Sequence, residues 1–111
     1  MFTKASSDNF FSPFQGIEIK TLAYGKKTLM TQFNLKKGSQ LPRHSHPHEQ
    51  TGYLVSGQIR LCFNDKNYLV NPGDAWSIEG DREHWAEILE DSVAIEVFSP
   101  VREDYLPENL S

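Results

Sequence analysis

Cysteine occurs once in the 111 residues, as Cys62, so no internal disulfide can form. No basic segment followed by an apolar run and a small-residue cleavage site stands near the start, and both absences point to a reducing cytoplasm. Apolar runs are only a few residues long, far short of the roughly 20 that a spanning helix requires, which excludes an integral membrane protein at this stage. Positive charge is scarce and dispersed. With 11 basic against 15 acidic side chains and a formal net charge of −4, the chain lacks the concentrated basic face that nucleic acid or an anionic membrane demands. A small molecule is therefore the expected partner. A sustained 3.6-residue period is missing too, as are a glycine-rich phosphate loop and a Ser-His-Asp set.

What is present is alternation. Ile17 and Ile19 alternate with Glu18 and Lys20, and Leu29, Thr31, Phe33 and Leu35 alternate with Thr28, Met30, Gln32 and Asn34, as strands with one buried face do. Further strand-like pieces lie at 52–55, 58–63, 68–70, 75–78, 85–89 and 93–98. Turn signals split them at Gly25, Gly38, Ser56-Gly57, residues 64–67, Pro72-Gly73-Asp74, Glu79-Gly80-Asp81 and Glu90-Asp91-Ser92. Many short strands with dense turns predict an all-β antiparallel sandwich or barrel of about eight to ten strands. The size suits one domain, with residues 1–15 as an irregular phenylalanine-bearing arm, 16–98 as the barrel and 99–111 as a tail. A short helical turn is expected around Arg102–Tyr105, stopped by Pro107.

Three of the four histidines fall within five residues, in Pro42-Arg43-His44-Ser45-His46-Pro47-His48-Glu49-Gln50. In an extended chain His44 and His46 point to one face, and a histidine from a distant strand, His84, would complete a metal-binding tripod. Spacing alone leaves open a solvated polar loop with a core histidine elsewhere. The segment Gly38-x5-His44-x-His46-x3-Gln50-x6-Gly57, with Gly73-x10-His84 further on, resembles the two motifs of the cupin family, antiparallel jelly-roll barrels that hold a metal inside. That resemblance implies His44, His46, Gln50 and His84 as ligands of one divalent transition metal, with Ni, Zn, Fe, Co and Cu all compatible. Gln50 stands where most cupins carry glutamate, and Glu79, Asp81 and Ile88 replace the second motif's proline, glycine and asparagine. A neutral amide leaves the metal its full charge and makes it a stronger Lewis acid. Glu49 faces away by strand parity. His48 shares the ligand parity and reads either as a residue that orients Gln50 or a bound ligand, or as plain solvent-exposed surface.

The last strand has two candidate inner faces. Val93, Ile95 and Val97 form one, and Ala94, Glu96 and Phe98 the other. If the valine face packs outward it asks for cover, so a homodimer is expected. His46-Pro-His-Glu-Gln50, Gly57 and Phe98-Ser-Pro-x-Arg102-Glu-Asp-Tyr-Leu106 together resemble the small cupins of pectin and alginate breakdown, which linearise 4,5-unsaturated uronates. There an aspartate, a phenylalanine and an arginine lie beside the metal, and the matching positions here are Glu96, Phe98 and Arg102. The resemblance implies Glu96 as proton-transfer residue, Arg102 as both catalytic residue and carboxylate clamp, and Phe98 and His48 beside a sugar-acid-like ligand. An Fe(II) dioxygenase and a non-enzymatic ligand-binding cupin are the alternative expectations. Arg102 could equally form a surface ion pair with Glu103 or Asp104.

Overall fold

The computed structural model describes residues 1–110. Eight strands follow one another: β1 (Phe11–Phe14), β2 (Ile17–Tyr24), β3 (Leu29–Leu35), β4 (Gln40–His44), β5 (Glu49–Phe63), β6 (Asn67–Val70), β7 (Ala75–Ile78) and β8 (His84–Ser99). All pairings are antiparallel. The alternation read along residues 29–35 is the burial pattern of β3, with Leu29, Thr31, Phe33 and Leu35 inside. No helix among the described residues is long and apolar enough to cross a membrane.

Two long strands hold the architecture together. β5 and β8 pair from Glu49 opposite Ser99 to Phe63 opposite His84. The first half of β5 carries β7 on its other edge and the second half carries β6. In the same way β8 pairs with β4 near its start and with β3 near its end. The result is two sheets, β1-β2-β3-β8-β5-β7 and β4-β8-β5-β6, that share β5 and β8 and face each other as a jelly-roll barrel. A straight 16-residue strand would be about 50 Å long, yet the longest dimension of the molecule is 36 Å. Both strands must therefore bend.

The bend lies where turns were expected. Ser56-Gly57 and Glu90-Asp91-Ser92 have turn composition, but they do not separate strands. They lie opposite one another in the continuous β5–β8 ladder, at a run of register shifts between Leu54 and Ile59. Gly57 has φ of 91°, and a Cβ there would lie 2.1 Å from Ser92 Oγ, so only glycine fits this close approach. Ser92 Oγ accepts from the Gln58 amide at 3.0 Å, satisfying a donor that the bulge takes out of the ladder.

Three further differences from the sequence reading concern the arm, residues 40–44 and the tail. The arm read as irregular contains β1, which pairs with β2, and of its phenylalanines Phe11 packs on the core while Phe2 and Phe14 stay exposed. β4, with Pro42 inside it, was hidden because proline is out of place in a central strand. It pairs only with β8, which makes it an edge. In the tail, 3₁₀ turns occupy Glu103–Tyr105 and Pro107–Asn109, so Pro107 starts a second turn instead of stopping the first. The core fills the space between the sheets, with Ile17, Ile19, Leu29, Leu54, Ile78 and Phe98 almost wholly buried.

Candidate active site

The bend gathers the site. β8 begins with His84 and ends beside Phe98, and a straight strand would hold these residues some 45 Å apart. Here both face the same imidazole, with ring centroids of His84 and Phe98 at 5.3 Å and 5.7 Å from that of His46. His44 closes the set at 4.3 Å from His84 and 5.5 Å from His46. Ligand-capable atoms of His44, His46 and His84 lie within 4.8 Å of one another.

The hydrogen bonds of the three rings fix which nitrogen faces inward. Nδ1 of His44 lies 2.8 Å from the Pro42 carbonyl, Nδ1 of His46 2.9 Å from the His48 carbonyl, and Nδ1 of His84 2.8 Å from the Arg82 carbonyl. A carbonyl only accepts, so each Nδ1 carries the proton and donates. In the neutral rings each Nε2 is then an unprotonated lone-pair donor, the state a metal needs. Burial lowers the pKa of His46 and takes that of His84 to about 4, so both stay neutral near pH 7. His84 Nε2 is buried without a partner.

Gln50 sharpens the case. Its Nε2 donates to Glu96 Oε2 at 2.9 Å, which turns its Oε1 toward His46 Nε2 at 2.7 Å. Two lone pairs then confront each other at hydrogen-bond distance. A cation shared by both resolves this conflict, so the residues present fit a divalent metal held by His44, His46, His84 and the Gln50 carbonyl oxygen. The amide also suits its other neighbour, because a carboxylate at position 50 would oppose the carboxylate of Glu96.

Glu96 is on the inner face of β8 with Ala94 and Phe98, while Val93, Ile95 and Val97 turn outward. Burial pushes its pKa from 4.5 up to about 7 against the opposing effects of Trp76, Gln50 and Arg102. Both carboxylate oxygens are held, Oε2 by Gln50 and Oε1 by Trp76 Nε1 at 2.8 Å. Trp76 reaches it across β5: Gly52 pairs with Trp76 on one side and Glu96 on the other. A Cβ on Gly52 would lie 2.2 Å from the indole, so the glycine leaves the corridor through which Trp76 contacts the acid.

A cavity of about 270 Å³ opens onto this group. His44, Gln50, His84, Glu96, Phe98 and Arg102 line it, together with Trp76, Asp104 and Tyr105, above an apolar floor from the barrel core. Arg102 makes the anticipated ion pair with Asp104 and also faces the cavity. Glu49 is exposed on the opposite face of its strand. His48 does not line the cavity; its carbonyl holds His46 and its own Nδ1 is buried without a partner. Neither the contact of Trp76 with Glu96 nor a place for Tyr105 in the site was read from sequence. The signal for Trp76 was Gly52, a glycine inside a strand two residues after Gln50, which marks a close approach.

A bent double sheet that brings three imidazoles and an amide together defines a jelly-roll barrel with a candidate metal site. Residues 31–99 match the cupin domain family, and the chain belongs to it. It is similar to the pectin degradation protein KdgF of Dickeya dadantii, at 29% identity over 93 residues that cover 82% of this chain and 84% of that protein. Its structure is similar to that of KdgF from a Halomonas species, with TM-score 0.89, 29% identity, and 96% and 100% of the two chains covered. An RmlC-like cupin from Shewanella frigidimarina shares the fold, with TM-score 0.88 at 22% identity over 95% of each chain.

Proposed function

We propose that the protein is a metal-dependent isomerase that opens the ring of a 4,5-unsaturated uronate. The observation that carries this reading is the buried carboxyl of Glu96, poised near neutral pH in one cavity with His44 and His84 of the three-histidine cluster and an arginine. Similarity to two KdgF proteins, one of them named for pectin degradation, supports it. The residues divide the work. Arg102 pairs with the uronate carboxylate, Phe98 forms a wall for the sugar ring, and the His48 carbonyl keeps His46 oriented. When bound at the His44, His46, Gln50 and His84 atoms, a divalent cation supplies positive charge for developing anionic oxygen.

Glu96 moves the protons. Its carboxylate takes the proton of the anomeric hydroxyl, the C1 carbonyl forms, and the bond between C1 and the ring oxygen breaks. The electron pair passes to the ring oxygen, leaving an enolate at C5. The carboxylic acid then returns the proton to C4 as the C5 carbonyl forms. Atoms balance, and no co-reactant is consumed. Trp76 and Gln50 hold the carboxylate still, which matters because a misplacement of about 1 Å costs on the order of a hundredfold. The test is the decay of ultraviolet absorption of the unsaturated uronate monomer. Acceleration over the buffer rate is expected, and a rate equal to buffer with the metal site filled overturns the reading.

The protein acts as a homodimer in this proposal, in a reducing cytoplasm consistent with the single buried Cys62. The outer face of the β3-β8-β5 sheet supports the dimer: Met30 is 40% exposed, Tyr53 49% and Val55 48%, and Val97 and Ile95 lie between them in the ladder. Light scattering is expected to give the mass of two chains, and the mass of one chain at micromolar concentration would refute it.

A further inference from the structure

Arg102 follows β8 and precedes the first 3₁₀ turn, and its side chain is only 15% exposed. Its Nε lies 3.1 Å from both carboxylate oxygens of Asp104. Its Cζ stands 4.1 Å from the centroid of the Tyr105 ring and 5.0 Å from that of Phe98. The guanidinium is thus fixed along one edge by an anion and against its plane by aromatic rings. Tyr105 is itself anchored: its carbonyl accepts from Thr21 Oγ1 at 2.5 Å, and its ring lies 5.7 Å from Phe11 and 5.6 Å from Phe98. Among the described residues no carboxylate pairs with the two terminal nitrogens of Arg102. A guanidinium binds a carboxylate through a planar fork of two N–H groups. With Nε taken, the terminal pair is the fork that remains for a ligand.

We propose that Asp104 and Tyr105 are positioning residues that hold Arg102 with its terminal fork presented to the carboxylate of a sugar acid in the cavity. This deepens the uronate reading and rests on it for the identity of the ligand. An arginine side chain loses rotamer freedom when it is fixed, and here that loss is met before the ligand arrives. Asp104 is itself largely exposed, so its ion pair adds little to folding stability, and replacing it separates positioning from folding.

The experiment follows Arg102 and the ligand separately. In nitrogen-15 NMR of the intact protein, one slowly exchanging arginine Nε–H is expected, identified by its loss in Arg102→Lys. It disappears in Asp104→Asn and returns in Asp104→Glu. The same Asp104→Asn change raises KM for the unsaturated uronate about tenfold and leaves kcat within about twofold. Tyr105→Leu raises KM in the same way. An unchanged Nε–H signal or an unchanged KM in Asp104→Asn overturns the proposal. If wild type opens no uronate, calorimetry with galacturonate against galactose replaces turnover. A preference for galacturonate that Asp104→Asn abolishes upholds the positioning while the ring-opening reading falls, and no preference overturns both.

Discussion

Glu96→Gln lowers ring-opening of the unsaturated uronate by about three orders of magnitude, within the range that a positioned general base supplies, while the protein keeps its fold and its metal. The amide matches the carboxyl in shape and retains an oxygen for Trp76 or Gln50 to donate to, but it cannot accept and return a proton. Loss of metal together with activity would mean that Glu96 supports the ligand cluster instead. In wild type, activity falls as pH drops through the ionisation of Glu96. That limb lies at or below about 7, because a cation beside Gln50 favours the carboxylate.

The same group leaves a mark on stability. In the metal-free protein its pKa is raised from 4.5 to about 7 by burial, so the neutral form is the one that folding favours. The stability associated with that form is complete below about pH 4.5 and is lost as pH rises through about 7, a change of about 3 kcal/mol. Urea unfolding of the chelator-treated proteins checks this. Relative to wild type, Glu96→Gln gains about that amount between pH 4 and pH 8, and the difference between the two isolates Glu96 from the histidines, whose lowered pKa values act in the opposite direction.

His84→Ala is expected to remove the metal altogether. Wild type is expected to hold one divalent ion per chain, and metal analysis of the variant to give close to none, with ring-opening at the buffer rate. Two ring nitrogens and an amide oxygen would be left, and the amide is the weakest of the donors. Thermal unfolding provides a readout independent of turnover. A ligand at about a hundred times its Kd stabilises the native state by about 2.7 kcal/mol, which for a domain of this size raises Tm by about 10 °C. That rise should appear on adding metal to chelator-treated wild type and vanish in His84→Ala. A variant that still shows it would place the ion elsewhere.

Much of this site was legible in the chain because its ligands come from two short stretches with strand parity. His44 and His46 share a face by spacing, the distant His84 was the histidine left to complete a tripod, and the resemblance to cupins added Gln50. The inner face of β8 was harder. Val93, Ile95 and Val97 are more apolar than Ala94, Glu96 and Phe98, so pattern favours the wrong side. The acid faces inward because the barrel encloses a cavity with donors waiting for it, and Trp76 and Gln50 come from other strands. The Trp76 contact depends on a row across three strands and cannot be seen along one. The bends deceived for a related reason. A glycine at positive φ serves a bulge as readily as a chain reversal, and only the pairing partner distinguishes them.

The ladder between β5 and β8 also governs how the protein is made and unmade. Its ends supply Gln50, Glu96 and His84, and closing it joins residues up to 50 positions apart, opposite Glu49 and Ser99. Chains dominated by such distant pairings fold in about milliseconds to seconds. No fragment and no half-formed intermediate can assemble the full ligand set, because each sheet holds only part of it. Capture of the proposed metal would therefore be a late event that reports completion of the native topology.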